Sequence, residues 1–362
     1  MKILQVCPGA YVYGRGGVSE HVRRISEGLA RRGHDVTVFA TNPGGFAWFD
    51  VVNGVKVRRF KRFAPGGAYF FSPSMFLALL RAKNFDVIHA HGFHAFPMHF
   101  AGFAECKRFV VTTHFHGAGH SVFRNFLFKL FKQVGKRTLL KADVIVAVSE
   151  FEKRLLIKQF KLNERKVVVV PNGVDLCEFK DLKRRDKGFR SILYVGRLEM
   201  YKGVQYLVEV LPKLPEDVVL EIVGRGSLKS RLERRAKELG ISDRVKFYQD
   251  LPRRDLLQLF VDADVFVLLS QYEAYGLAVA EALVAGTPCI VANSSALAEW
   301  IDGETCVGIN LPIELSELAK AISNILSRRI YGNFISKSLV GSKILSWDGV
   351  VSLLENLYNS FS

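Results

Sequence analysis

The strongest constraint on the fold is an alternation of short apolar runs with amphipathic stretches, and it occurs twice along the 362 residues. Residues 3–6 form an apolar run that ends in the turn residues Cys7, Pro8 and Gly9. A helical pattern follows at about 18–32, Gly33 stands where a C-cap belongs, and 35–40 reads as the next strand. Further strands are expected at 51–60, 87–90, 110–113, 144–149 and 167–170. The pattern restarts at 191–195. Helices are expected at 203–214, 228–239, 255–261 and 277–285, between strands at 218–223, 245–248, 265–269 and 289–291. Apolar strands separated by helices make parallel, doubly wound α/β sheets. The fold class is therefore α/β with two Rossmann-like doubly wound parallel-sheet domains facing across a cleft, at residues 1–170 and 171–344. Residues 345–362 are again helical in pattern, and either complete the second domain or cross back to the first.

Composition excludes several classes. About half of the residues are hydrophobic and a quarter charged, which is globular rather than disordered. No apolar run reaches the roughly 18 residues of a membrane span. The start of the chain reads as a strand rather than a signal peptide. Five cysteines lie scattered without metal-like spacing, so reduced thiols and a cytoplasmic location are expected. The net charge of +16 is lopsided. Residues 1–170 hold 27 Lys and Arg against 10 Asp and Glu, and the remainder 24 against 25. The first half alone should attract anionic partners, whether nucleic acid, anionic lipid or a phosphorylated substrate.

The most informative segment runs from Ser270 to Pro288. A strand ends, a loop carries Glu273, Ala274, Tyr275 and Gly276, and an otherwise apolar helix begins at Leu277 with Glu281 on it. A carboxylate among so many apolar side chains needs partners, and sugar hydroxyls suit it. Gly276 would open the helix N-terminus to an anionic phosphate. A helix-dipole Glu beside a structural Glu is the plainer reading, and the apolar setting argues against it. Arg197 and Lys202 follow another strand end. There a guanidinium and an ammonium suit a diphosphate, although solvated surface cations are commoner. Gly14, Gly16 and Gly17 open the first helix, and Gly224 and Gly226 follow a later strand. Neither cluster completes a dinucleotide fingerprint, so each is a tight turn or an anion cradle.

Seven of nine histidines fall between His89 and His120. His91 and His114 sit at strand ends, where single imidazoles would touch a substrate. The His-x-His pairs have no cysteine or paired carboxylate nearby to complete a metal site, so none is expected. Asp262 and Asp264 resemble a metal motif but more simply cap a helix and open a strand. Residues 123–137 form a basic amphipathic helix: Phe123, Phe126, Leu127, Leu130, Phe131 and Val134 keep helical spacing. Arg124, Lys129, Lys132, Lys136 and Arg137 lie mostly off that stripe. Such a helix docks on an anionic bilayer or packs on its own sheet.

At these residues the chain resembles the retaining GT-B glycosyltransferases of family 4. Gly196-Arg197-Leu198 with Lys202-Gly203 looks like that family's G-R-L-x-x-x-K-G loop. Glu273 to Glu281, ending in Gly286-Thr287-Pro288, looks like its E-x7-E motif. Pro171-Asn172-Gly173-Val174-Asp175 resembles its domain junction. Gly16, Gly17 and His21 resemble its first helix, and Thr112-Thr113-His114 its acceptor-side T-x-H. The resemblance implies a hexose moved from a UDP- or GDP-linked sugar to an acceptor hydroxyl, with retention and without a metal or other cofactor. Glu273 would contact the donor sugar and Glu281 the ribose. Arg197 and Lys202 would hold the diphosphate, Gly16, Gly17 and Gly224 would approach it, and His91 and His114 would face the acceptor. That acceptor would be a sugar, a phosphosugar or a glycolipid, with the enzyme peripheral on the inner face of a membrane through 123–137. The chain departs from the pattern at Ser294-Ser295 and at Val307-Gly308-Ile309-Asn310, which leaves the sugar open. Two rivals remain: a GT-B hydrolase or epimerase of nucleotide sugars, and a basic nucleic-acid or membrane-binding module. The second, with nucleic acid the less favoured partner, leaves Glu273, Glu281 and the Arg197 loop unexplained.

Overall fold

Branched aliphatic runs form the strands expected of them, and the computed structural model describes residues 1–11, 17–64, 70–117, 122–328 and 343–360, with side chains of 122–130 left aside. The chain divides into two units, Met1–Gly173 with Leu345–Ser362, and Val174–Ile344. In the first unit the strands are β1 Lys2–Cys7, β2 Asp35–Asn42, β3 Phe49–Val52, β4 Val55–Lys61, β5 Phe85–His91, β6 Cys106–Thr112, β7 Val144–Ala147 and β8 Val167–Val169. Its helices are α1 Gly17–Arg31, α2 Pro73–Leu80, α3 Phe96–Ala101, α4 Val122–Lys141 and α5 Glu150–Phe160. The second unit carries β9 Arg190–Val195, β10 Val218–Val223, β11 Val245–Tyr248, β12 Val265–Leu268, β13 Cys289–Ala292 and β14 Cys306–Ile309. Around them lie α6 Val204–Val210, α7 Lys229–Glu238, α8 Arg253–Asp262, α9 Leu277–Val284 and α10 Leu315–Arg328, and the last helix, α11 Trp347–Asn359, returns to the first unit.

The first sheet is ordered β3-β4-β2-β1-β5-β6-β7-β8 and the second β11-β10-β9-β12-β13-β14. Every pairing is parallel except β3 with β4. That exception corrects the expected single strand at 51–60: Asn53 and Gly54 both take positive φ, and the Asn-Gly turn folds the run into a hairpin. The alternation along β1 places Leu4 and Val6 in one core and Ile3 and Cys7 in the other. The first core is completed by Met75, Met98, Phe131 and Leu156, from α2 to α5. The second is closed by Ile25 and Leu29 of α1 and by Val350, Val351 and Leu354 of α11. Gly28 admits Val351, since a Cβ there would lie 2.6 Å from that side chain. Arg32 and His34 then pair with Glu355, so the C-terminal helix is held by charge as well as packing.

Helix α4 differs from its expected stripe. Phe131 is buried, but Val134 is 42% exposed. Gly135 faces inward instead, against the Phe93 ring. Thr138 and Leu139 continue the inner face, whereas Gln133, Val134, Arg137 and Leu140 face outward.

Candidate active site

Three adjacent strands position the polar groups of the second unit. β10, β9 and β12 are neighbours, and the loops at their C-terminal ends carry Gly224, then Arg197 with Lys202, then Glu273 to Gly276. All of these strands are parallel, and the order in which they are added to the sheet changes sense between β9 and β12, where open α/β sheets hold ligands. Lys202 Nζ lies 2.5 Å from Glu273 Oε1, both groups mostly buried. Ser295 Oγ accepts from the Glu273 backbone N–H at 3.0 Å and anchors that loop. Arg197 is exposed, and its guanidinium donates to the Tyr201 hydroxyl. The buried Tyr194 hydroxyl donates to the Arg197 carbonyl at 2.7 Å, and burial raises its pKa far above the phenol range. Gly224 cannot be replaced: its φ is 151°, and a Cβ would come within 1.9 Å of the Gly196 carbonyl oxygen.

Gly276, with φ 95°, is the N-cap of α9, and Leu277 and Ala278 begin the helix half-buried with no side-chain cap before them. Their N–H groups precede the first intrahelical bonds, which run from Val279 and Ala280 to Gly276. Ala274 is half-buried, and Tyr275 serves the scaffold. Its ring packs edge-on against Trp300 at 5.2 Å, while its hydroxyl donates to the Lys343 carbonyl. Glu281 is buried as its apolar surroundings required, and its partner is a residue no motif announced. Arg253 Nη1 lies 2.6 Å from Glu281 Oε1, and the same guanidinium reaches Glu178 at 2.9 Å. Asp262 and Asp264 are engaged by Arg185 and Arg184, so ion pairs account for that motif.

In the first unit, Gly16 lies outside the described residues, as do Gly14, Arg15 and His120. Gly17 is exposed at the first position of α1. His91 and His114 do come together, and His21 of α1 joins them. Ring centroids are 5.5 Å apart for His21 and His91, 5.0 Å for His21 and His114, and 6.3 Å for His91 and His114. One ring nitrogen from each lies within 4.8 Å of the others. His21 and His91 are buried and His114 partly so. Burial depresses all three: His21 falls to about 4, and His91 and His114 lie well below the usual range, with neighbouring imidazoles adding to the shift. The cluster is neutral at neutral pH.

His114 sits in left-handed backbone, φ 48°, which histidine adopts more readily than most residues and which tends to mark functional sites. A buried carboxylate holds it there. Glu152 of α5 accepts from the Thr113 hydroxyl and the Phe115 N–H, on either side of His114, and from the Val148 N–H at 2.6 Å. Burial pushes the Glu152 carboxyl up to about 7, against the opposing pull of those donors. Sequence spacing gave no signal for Glu152, which reads as an ordinary first-turn acid after the Ser149 cap.

Two family models divide the chain: Glycosyltransferase Family 4 matches residues 15–178 and Glycosyl transferases group 1 matches 178–336. A glycogen synthase of Mycobacterium tuberculosis is 30% identical over 343 residues, covering 86% of this chain and 82% of that one. The chain belongs to glycosyltransferase family 4. An uncharacterized glycosyltransferase of Methanocaldococcus jannaschii shares 29% identity across 95% of this chain and 94% of its own. Anabaena HepE, solved in complex with UDP, matches at a TM-score of 0.78 and 18% identity over 99% of this chain and all of that one, a likeness of fold. The family 4 fold is thus two Rossmann-like parallel-sheet domains of the GT-B class, and the activity is that of a glycosyltransferase acting as a hexosyltransferase. Among the described residues, no helix is long and apolar enough to cross a membrane.

Proposed function

We propose that this family 4 glycosyltransferase moves a hexose from a UDP- or GDP-linked sugar to an acceptor hydroxyl, with retention and without a metal. The observation that carries the reading is the Lys202–Glu273 pair at the ends of β9 and β12, beside the uncapped N-terminus of α9. Arg197 and Lys202 supply positive charge for the diphosphate, and the first N–H groups of α9 supply donors. Glu273 accepts from the donor sugar hydroxyls, and Glu281, braced by Arg253, accepts from the ribose. The anomeric C–O bond to phosphate breaks, and the electron pair leaves with the diphosphate that the cations stabilise. The acceptor oxygen then bonds to the anomeric carbon on the same face and gives its proton to the departing phosphate.

Two panels test this. Calorimetry across UDP-, GDP- and ADP-linked hexoses should find one nucleotide that binds with and without EDTA, and NMR should show the donor's anomeric configuration kept in the product. Binding of no nucleotide sugar would remove the proposal. Free hexose or an epimerised donor as the main product, with every acceptor refused, would favour the hydrolase or epimerase reading instead.

A phosphorylated or lipid-linked acceptor, with the enzyme cytoplasmic and peripheral on the membrane, is supported by the basic first half and by the outer strip of α4. Val134 and Leu140 are exposed there beside Arg137. Each cation near an anionic surface is worth about 1 kcal/mol. Replacing Lys132, Lys136 and Arg137 together with Gln is therefore expected to cut partitioning onto phosphatidylglycerol vesicles by about two orders of magnitude. Unchanged partitioning in a sedimentation assay would leave α4 as a helix packed on its own sheet.

A further inference from the structure

The histidine cluster is wired from behind by two carboxamides. Asn172 Oδ1 lies 2.7 Å from His21 Nδ1, and Gln5 Oε1 lies 2.7 Å from His91 Nε2. A carboxamide oxygen only accepts, so in each ring that nitrogen carries the proton. Gln5 turns its carboxamide oxygen to His91 and its amide N–H to Tyr358. Its amide N–H donates to the Tyr358 hydroxyl at 3.4 Å, the Tyr358 oxygen lies 2.6 Å from His89 Nδ1, and His89 Nε2 lies 2.7 Å from Thr112 Oγ1. Three nitrogens of the clustered rings remain, His21 Nε2, His91 Nδ1 and His114 Nε2, each buried and without a hydrogen-bond partner.

We propose that Asn172 and Gln5 are positioning residues that lock His21 and His91 as opposite neutral tautomers, so that two bare lone pairs beside His114 form a surface which receives the hydroxyl protons of the acceptor sugar. The inference rests on the glycosyl-transfer reading and adds the chemical class recognised at this spot. Two neutral lone pairs in a buried setting attract O–H donors and repel a phosphate, which offers oxygen lone pairs of its own. A phosphorylated or lipid-linked acceptor must therefore place its anionic group elsewhere and present plain hydroxyls here. Buried acceptors left without a proton are costly, so an acceptor lacking the hydroxyl is rejected.

The test reads tautomers and kinetics separately on the full chain. Long-range 15N–1H correlation of the imidazoles at neutral pH should show His21 as the Nδ1–H form and His91 as the Nε2–H form. Mixed or reversed tautomers would overturn the wiring whatever the enzyme transfers. Asn172→Leu should free His21 to populate both forms, while Asn172→Asp, which keeps an acceptor oxygen, should preserve Nδ1–H. With the donor and acceptor that prove active, Asn172→Leu should raise the acceptor KM about tenfold, one hydrogen bond of about 1.4 kcal/mol. Nucleotide-sugar affinity should stay unchanged, and the aspartate should restore most of the loss. Gln5→Met, acting on His91, should shift the same two readouts and stands in if Asn172→Leu does not fold. Correct tautomers with an unchanged acceptor KM would overturn the hydroxyl surface alone. Stoichiometric micromolar binding of Zn2+ by the wild type, abolished in His21→Ala, would also overturn it and make the trio a metal site. Absence of any glycosyl transfer would strike the underlying reading and leave the tautomer result standing.

Discussion

Glu273→Gln is expected to cut turnover by about 10^2- to 10^3-fold while the protein stays folded, the size of loss seen when one preorganised electrostatic partner is removed from a transition state. The amide keeps the side chain's shape. The loop keeps its Ser295 anchor, because that bond is made by the Glu273 backbone rather than its carboxylate. What disappears is the charge facing Lys202 at 2.5 Å. The freed ammonium can turn wholly to a diphosphate, so affinity for the free nucleoside diphosphate should hold or tighten while kcat collapses. Glu281→Gln should act the other way. It removes one of the two carboxylates that face Arg253, leaving Glu178, and should weaken nucleotide binding at the proposed ribose contact more than it slows the bound complex. Calorimetry with the nucleotide and steady-state kinetics with the sugar donor separate the two patterns. Near-wild-type kcat in Glu273→Gln would remove it from the donor site.

The fold was legible because parallel sheets buried on both faces write themselves as uninterrupted apolar runs. The succession of strands along the chain and the loops after them followed from that alone, whereas their order within each sheet did not. The failures have particular causes. The hairpin at Asn53-Gly54 was missed because the apolar character of 51–60 continues across the turn, and only the Asn-Gly pair marks it. The inner face of α4 was misjudged at Val134 because Gly135 has no side chain to register in an apolar pattern, yet it is the residue the Phe93 ring demands. Strand β14 and helix α10 were left unassigned, since Cys306–Ile309 is only four residues long and its Gly308 weakens the pattern.

The two halves of the site were legible to different degrees for a related reason. Glu281 was recognisable as a carboxylate in need of partners, because its own helix is apolar. Arg253 was not recognisable as one of those partners, because it is one of two arginines opening α8 and only the packing of α8 beside α9 selects it. In the first unit the histidines stood out by number. Their meeting point did not: His21 lies 70 residues before His91, and the residues that set their tautomers, Gln5 and Asn172, are separated by most of the unit. Sheet order brings β1 beside β5 with Gln5 in register with His89, and the Gln5 side chain reaches His91 two residues further along β5. Long-range polar wiring of this kind is a property of topology, and periodicity carries no trace of it.

Glu152→Gln is expected to produce the largest pH-dependent change. The wild-type carboxyl is fully buried, and its folded value of about 7 lies above the ordinary 4.5 because burial disfavours the ion. The folded state therefore binds this proton more tightly than the unfolded chain. Stability from Glu152 is present below about pH 4.5 and is lost as pH rises through about 7, by an amount on the order of 3 kcal/mol. Glutamine has no such proton. Its amide can accept from Phe115 and Thr113 at one end, but turns N–H toward the Val148 N–H at the other, a mismatch costing about 1–3 kcal/mol. Denaturant melts should show the variant less stable than wild type at pH 5, with the gap closing as pH approaches 8. Activity should run opposite to stability. Ionised Glu152 is the better acceptor for the three donors that fix His114 at its left-handed φ, so wild-type transfer should climb through pH 7. In the glutamine variant that rise should vanish, because burial holds the imidazoles of the cluster well below that range, His21 at about 4 and His91 and His114 also depressed. A variant whose activity still climbs through pH 7, or a stability gap that widens with pH, would show that Glu152 does not govern the His114 turn.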